Sequence, residues 1–145
     1  MALLSDDPRI TTPDDLTRFH DRHWLLLLAH APSDVIEALD RLVAQAGGGD
    51  FAATLEQYRG LFAHAVDTRP PPSGHVNALL HAAGRLRGSL TDAEWEGVSR
   101  AIEQFAAGAA SLARPLRLLR RHAARHGHTW LLEQVYPGPG SAIEM

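Results

Sequence analysis

Histidine is the first residue type to consider for catalysis or metal binding in this sequence, since nine histidines occur in 145 residues. The imidazole ring titrates near neutral pH and binds transition metals, so clustered histidines are candidates for acid–base or metal chemistry. Two clusters have helical spacing: His20, His23 and His30 form the first, and His75, Asn77 and His81 form the second. If the chain is an enzyme, we expect its acid and base among these histidines, namely His20, His23, His75 and His81.

The first histidine cluster falls on one stripe of a helix predicted from residue 13 to residue 30. At 100° per residue, its three imidazoles lie within an arc about 80° wide. His20 and His23 have the i, i+3 spacing of a possible metal pair, but His30 is about 10 Å further along the axis, so the three cannot close one metal site alone. The alternative is that all three are hydrogen-bonded within a partly buried seam. Arg22 projects from another face and is a candidate binding residue.

The second cluster follows a break predicted over residues 68–74, where three successive prolines oppose helix formation. His75 and Asn77 would then stand at a helix N-terminus, where free amides and the helix dipole favour a phosphate or carboxylate. Asn77 and His81 share a face because they are four residues apart. The alternative is that Ser73 caps this helix and Asn77 is a solvated polar residue.

Arginine supplies the third feature, because all 14 basic residues are arginines and several follow one helix face in ARPLRLLRRHAARHGH, residues 113–128. Leucine and alanine occupy the opposite face of this helix. The guanidinium face comprises Arg114, Arg117, Arg121 and Arg125. No acid occurs between Glu103 and Glu133, so neighbouring carboxylates cannot neutralise it, and we expect an anionic partner. The alternative is pairing across space with residues 1–74, which hold 11 acids against 6 arginines.

These residues must be positioned by helices, because helix signals recur along the chain and no segment alternates as a strand would. We predict an all-α fold, a single compact bundle of about six or seven helices. Thr12, Pro13 and Asp15 open the first helix, which runs to residue 30. Ser33 caps a second helix that ends at the glycines 47–49, and Asp50 caps a third that ends near residue 67.

The second half of the chain has similar signals. The fourth helix follows the proline break and ends near residue 87, and a capping box of Thr91 and Glu94 opens a fifth that ends near Gly108. Ser111 caps a sixth helix with Pro115 in its first turn, although one kinked helix in place of the fifth and sixth is an alternative. A short seventh helix covers residues 129–136.

Length and composition predict one domain with a core at about residues 13–136 and loosely held ends at residues 1–12 and 137–145. The chain contains no cysteine, which excludes disulfides, thiolate metal sites, iron–sulfur clusters and thiol nucleophiles, and we predict no cofactor. The N-terminus lacks the features of a signal peptide, and the longest apolar run, residues 24–29, is too short to cross a bilayer. We therefore expect a cytoplasmic protein without a membrane segment.

Four segments, FHDRHWLLLLAH, HVNALLH, PLRLLRRH and LLEQVYPGP, together resemble the YbgA-like domain family, over about residues 16–139. The sequence departs from the family pattern at Trp24, at Leu28 and in residues 84–88, where Arg85 and Arg87 replace lysine as candidate anion contacts. By motif, the resemblance selects His20, Arg22, His23 and His30 in the first segment, His75, Asn77 and His81 in the second, and Arg120, Arg121 and His122 in the third.

The resemblance also implies a function. Such domains occur alone or fused to an iron–sulfur desulfidase that acts on 4-thiouridine in transfer RNA, where the helical part helps to hold the RNA. Since that cluster needs cysteines, the desulfidase activity cannot reside in this chain. We therefore favour a non-catalytic RNA-binding module, with transfer RNA as the expected ligand and a desulfidase as the expected partner in trans. Its predicted binding residues are Arg22, His30, Asn77, Arg85, Arg87, Arg117, Arg120, Arg121 and His122.

Two alternatives stay open. The first is an enzyme that uses the histidines as acid and base, or His20 and His23 as ligands to a metal, on a small phosphorylated or nucleobase substrate. It requires His20 or His23 to meet His75 or His81 around a pocket. The second is a docking domain for an enzyme, which would show an exposed apolar patch.

Overall fold

The computed structural model describes residues 9–137, and over this range the predicted all-α fold is confirmed. Residues 1–8 and 138–145, most of the ends predicted to be loose, lie outside the described residues. Eight α-helices and a short 3-10 helix, Arg87–Ser89, make up the described part. The α-helices are α1 (Pro13–Arg22), α2 (Trp24–His30), α3 (Ser33–Gln45), α4 (Phe51–Ala65), α5 (Pro72–Leu86), α6 (Asp92–Ala106), α7 (Ala113–Arg125) and α8 (Thr129–Leu132).

Three helix starts are capped as the sequence predicts. The Thr12 side chain accepts a hydrogen bond from the Asp15 amide, and the Asp15 carboxylate accepts one from the Thr12 amide. Thr91 and Glu94 form the same reciprocal box at the start of α6. Asp50 caps α4 by accepting from the Ala53 amide. Local side-chain chemistry alone decides these starts, because each cap satisfies amides that have no partner within the helix.

The three predicted serine caps are wrong. Pro32, Pro71 and Leu112 precede α3, α5 and α7, and none of these caps makes a side-chain hydrogen bond. The proline break is shorter than predicted, since α5 already begins at Pro72. A proline at the first helical position loses only an amide that has no intrahelical partner, so it starts a helix rather than preventing one.

The sequence also did not determine where the later helices end, and the structure shows these boundaries. Gly108, with φ of +79°, follows α6 and separates it from α7, so the alternative of one kinked helix is wrong. This left-handed conformation costs glycine little because it has no Cβ. Pro115 stands in the first turn of α7 as predicted. The last helix, α8, ends at Leu132, four residues earlier than predicted.

The first predicted helix is in fact two helices, which separate at His23. In one continuous helix the Asp21 carbonyl would accept from the Leu25 amide. Instead, the side-chain amide of Gln134 takes both partners: its Oε1 accepts from the Leu25 amide at 3.0 Å and its Nε2 donates to the Asp21 carbonyl at 2.6 Å. The adjacent Val135 amide donates to the Arg22 carbonyl. The C-terminal segment therefore replaces helical hydrogen bonds at this point.

The short helix α2 lies at the centre of the bundle. Five of its seven residues, 25–29, are buried, and α2 packs most extensively against α5. This burial on all sides explains why the leucine run shows no amphipathic pattern. Among the described residues, no helix is long and apolar enough to cross a membrane.

Candidate functional site

His20 belongs to a partly buried hydrogen-bond network that connects three helices. Its Nε2 lies 2.7 Å from Asp40 Oδ1, and its Nδ1 lies 2.8 Å from the hydroxyl of Tyr58. A carboxylate can only accept, so Nε2 donates to Asp40, and Nδ1 shares a hydrogen bond with the Tyr58 hydroxyl. Tyr58 is fully buried, and burial raises the pKa of its hydroxyl, so the phenol stays protonated. The network therefore joins α1 to α3 and α4 and presents no activated nucleophile.

The other histidines of the first cluster also bond within the protein. The His23 ring stacks on Phe19 with 3.8 Å between ring centroids, and its Nδ1 lies 2.7 Å from the Phe19 carbonyl oxygen. His30 Nδ1 donates to the Thr68 carbonyl at 2.8 Å. These contacts are those expected if the three histidines are hydrogen-bonded within a partly buried surface between helices.

The second cluster separates into one packed and one exposed histidine. His75 Nδ1 lies 2.7 Å from the Tyr136 hydroxyl. Burial lowers the pKa of His75, and the nearby His30 lowers it further. Asn77 donates to the Leu28 carbonyl at 3.4 Å, so its amide faces α2. His81 is exposed and has no hydrogen-bond or ionic partner within residues 9–137.

The motif segments converge where α2, α5 and the C-terminal segment meet. His30 and Asn77 contact backbone there, His75 bonds to the side chain of Tyr136, and Arg120 donates to the Tyr136 carbonyl. The histidine that influences His75 is His30, whereas the enzyme hypothesis expected His20 or His23. These motif residues thus hold the bundle together at one junction.

The exposed face of α7 differs from this junction because most of its arginines form no ion pair within the described part of the chain. Arg114, Arg117 and Arg121 are exposed and form no ion pair with any residue in the range 9–137. Arg125 is the exception, since its Nη1 lies 3.0 Å from Glu94 Oε2. His122 is buried on the inner side of the helix. The acids of residues 9–74 therefore form no ion pair with these three arginines.

The two arginines of residues 84–88 lie on aromatic rings. The guanidinium carbon of Arg85 is 3.8 Å from the centroid of the Trp130 ring, and that of Arg87 is 4.1 Å from the Trp95 ring. Both distances are typical of cation–π contacts. Arg22 is exposed, and its backbone carbonyl, rather than its guanidinium, makes the contact to Val135.

Arg85 also borders an open cleft of about 390 Å³. The cleft is lined by Thr17, Arg18, His20, Asp21, Trp24 and Arg85. Asp21 is held in place by the Trp130 indole, which donates to its Oδ1 at 2.9 Å. The volume lies in the range of small-ligand sites, and the lining combines the Trp24 side chain with two arginines and the Asp21 carboxyl group.

Sequence analysis missed several residues of these sites. Gln134 and Tyr136 lie in the fourth motif, LLEQVYPGP, in which the resemblance assigns no residue a role. Tyr58 and Asp40 form hydrogen bonds with His20 from helices that are remote in sequence, and no local sequence pattern predicts these contacts. The signal available for Gln134 was its position among mostly apolar residues in that segment.

The comparisons place this chain in a family. A family model described as "Protein of unknown function (DUF1722)" matches residues 25–139, so the second, third and fourth motifs lie within the match and His20, Arg22 and His23 precede it. No curated protein and no solved structure gave a match. Because the matched range covers most of the chain and the motifs predicted it, the chain belongs to the DUF1722, or YbgA-like, family of proteins of unknown function.

Proposed function

We propose that this chain is an RNA-binding helical module that holds the sugar–phosphate backbone on the exposed face of α7. The observation that carries the proposal is the set of exposed arginines Arg114, Arg117 and Arg121, which have no carboxylate partner among the described residues. Guanidinium groups without local counter-ions attract phosphates, and arginine binds phosphate oxygens in a bidentate manner.

The geometry of α7 suits a repeating anion. A rise of about 1.5 Å per residue places the backbone positions of Arg114 and Arg117 about 4.5 Å apart along the axis, and those of Arg117 and Arg121 about 6 Å apart. The opposite face is buried through Leu116, Leu119 and Ala123, so the helix is a rigid support. Such contacts position a nucleic acid without reading its sequence.

The cleft beside Trp24 offers a second point of contact. RNA is recognised largely through unpaired bases that stack on aromatic or guanidinium planes. Trp24 and Arg85 provide both kinds of plane on one lining. The net charge of −3 opposes non-specific binding of nucleic acid over the whole surface, so binding depends on these local features.

The family resemblance supports transfer RNA as the ligand and a desulfidase as a partner in trans. The enzyme alternative has only the cleft in its favour, since the expected histidine pair is replaced by His30 and His75. For the docking alternative, the large apolar side chains exposed within residues 9–137 are Leu80 and Leu132, on α5 and α8.

The test is a fluorescence-anisotropy titration of labelled transfer RNA. We expect Arg117→Glu with Arg121→Glu to weaken binding by more than about tenfold at low salt, because both repulsion and lost contacts act at one face. The control, Arg41→Glu with Arg69→Glu, changes net charge equally at exposed arginines of the acidic half. It should weaken binding less than about threefold. If the two double variants weakened binding equally, or if the α7 variant had no effect, the α7 face would not be the RNA-binding surface.

Salt dependence supplies an independent measure of the same contacts. If three arginines each displace one counter-ion, replacing Arg114, Arg117 and Arg121 by alanine should reduce the slope of log K against log salt by about 2 for single-stranded RNA. An unchanged slope in this triple variant would show that other residues contact the phosphates.

A further inference from the structure

Glu94, His122 and His126 come together where the start of α6 lies against the end of α7. Each residue has one nitrogen or oxygen atom that could bind a metal ion, and these three atoms lie within 4.8 Å of one another. Within residues 9–137 this is the one group of three or more potential metal-binding side chains. The His126 amide donates to the His122 carbonyl at 3.0 Å, so the two imidazoles are one helical turn apart. None of these contacts involves Arg114, Arg117 or Arg121, so the cluster is separate from the proposed phosphate contacts.

His122 is the most informative member of this cluster. It is only 7% exposed, and its Nδ1 is buried without a hydrogen-bond partner among the described atoms. Glu94 Oε2 lies 3.9 Å from this nitrogen, which is too far for a hydrogen bond. A buried ring nitrogen without a partner is costly, and one that faces a carboxylate at this distance suits a cation between them.

The Glu94 carboxylate is already oriented toward α7. Its Oε1 accepts from the Thr91 amide at 2.9 Å in the capping box, which leaves Oε2 directed at the α7 side chains. Arg125 Nη1 lies 3.0 Å from that oxygen, so a cationic group already occupies the position next to it. The Arg125 side chain is 67% exposed, so it can turn into solvent and free Oε2.

We propose that Glu94, His122 and His126 form a zinc site with three protein ligands and an open fourth position. Two imidazole nitrogens and one carboxylate oxygen are a donor set that zinc takes in sites that keep a position for water or a ligand. Tetrahedral bonds of about 2.1 Å require donor atoms about 3.4 Å apart, so the three side chains close by roughly an ångström on binding. His126 is exposed at the end of its helix and can make this movement.

The binding test uses the whole chain without a histidine tag. The protein is equilibrated with Zn²⁺, freed of excess metal and analysed for zinc content, and its affinity is measured by calorimetry. We expect one zinc ion per chain and no binding of Mg²⁺, which prefers an all-oxygen site. Replacement by Co²⁺ should give the visible absorption of a tetrahedral centre. Absence of retained zinc would overturn the proposal.

Variants then assign the metal to these side chains. Since His122 is buried, we use the exposed His126 and the carboxylate instead. His126→Ala and Glu94→Gln should each weaken zinc binding by more than about tenfold, and the glutamine keeps an oxygen for the Thr91 amide. Arg125→Ala should strengthen it by removing a competing cation. The control His64→Ala alters an exposed histidine of α4 and should change nothing. Zinc affinity of His126→Ala equal to that of the wild type would overturn the assignment.

Discussion

The α-carbon of Gly74 faces the backbone carbonyl of Ala29 so closely that a Cβ at position 74 would lie 2.1 Å from the carbonyl oxygen. Helices α2 and α5 therefore meet backbone to backbone at this point. His30 and His75 each follow one of these two residues in sequence. Only glycine permits the approach that brings the two histidines together, because any side chain would push the helices apart.

Gly74→Ala should lower the free energy of unfolding by about 1–3 kcal/mol, since the methyl group would displace backbone rather than a flexible side chain. Gly84→Ala is the matched control in the same helix, where a Cβ meets no atom within 4 Å. It should raise stability by about 0.5–1 kcal/mol through helix propensity. Urea denaturation measures the free energy of unfolding of both variants. If both substitutions raised it, α2 and α5 could separate at position 74 without cost.

Gln134→Leu should destabilise the protein by about 1–3 kcal/mol. The buried amide of Gln134 satisfies the Leu25 amide and the Asp21 carbonyl, and leucine can replace neither bond. The neighbouring change Glu133→Gln alters an exposed residue and should stay within about 0.5 kcal/mol of wild type. Thermal and urea unfolding give both values. Wild-type stability of Gln134→Leu would mean that α1 and α2 can rejoin as one helix.

Acid should destabilise the protein through His75 and His30 before the carboxylates titrate. Burial lowers the pKa of both histidines in the folded chain. Below the ordinary histidine pKa of 6.5 the unfolded chain therefore binds more protons than the folded one, and stability falls as pH drops toward the lowered values. Asp15, with its pKa lowered to about 2 by hydrogen bonds from Thr11, loses its contribution only at far lower pH.

His75→Asn tests this pH dependence, because an amide places a hydrogen-bonding atom near the Tyr136 hydroxyl without titrating. The free energy of unfolding, measured by urea between about pH 7.5 and about pH 5.5, should fall less steeply in this variant than in wild type. His64→Asn, at an exposed position, should keep the wild-type slope. Parallel curves for His75→Asn and wild type would remove His75 as the source.

Arg120 and Arg117 should behave differently although both were predicted to bind the ligand. Arg120→Ala removes a charged donor from the Tyr136 carbonyl and should cost about 1 kcal/mol of stability with little change in RNA affinity. Arg117→Ala should leave stability within about 0.5 kcal/mol and weaken RNA binding. Denaturation and anisotropy measured on the same preparations separate the two roles. An RNA defect in Arg120→Ala at full stability would place Arg120 at the interface.

The amino-acid sequence by itself determined the features that depend on near neighbours. The caps at Thr12, Asp50 and Thr91, and the absence of strand patterns, follow from side chains within a few residues of one another. The two faces of α7 follow from helical periodicity and appear in the structure as predicted for Arg117 and Arg121. Family membership likewise follows from the sequence, since the family model matches residues 25–139.

Only the tertiary structure decided what each candidate residue contacts. The first helix divides at His23 because Gln134, 109 residues beyond Leu25, supplies competing hydrogen bonds. His20 bonds to Asp40 and Tyr58, and Glu94 faces His122, across helices whose relative positions no local pattern specifies. Helical periodicity tells which side of one helix a residue occupies, whereas its partner depends on how all the helices pack, because burial is non-directional and many arrangements satisfy the same pattern.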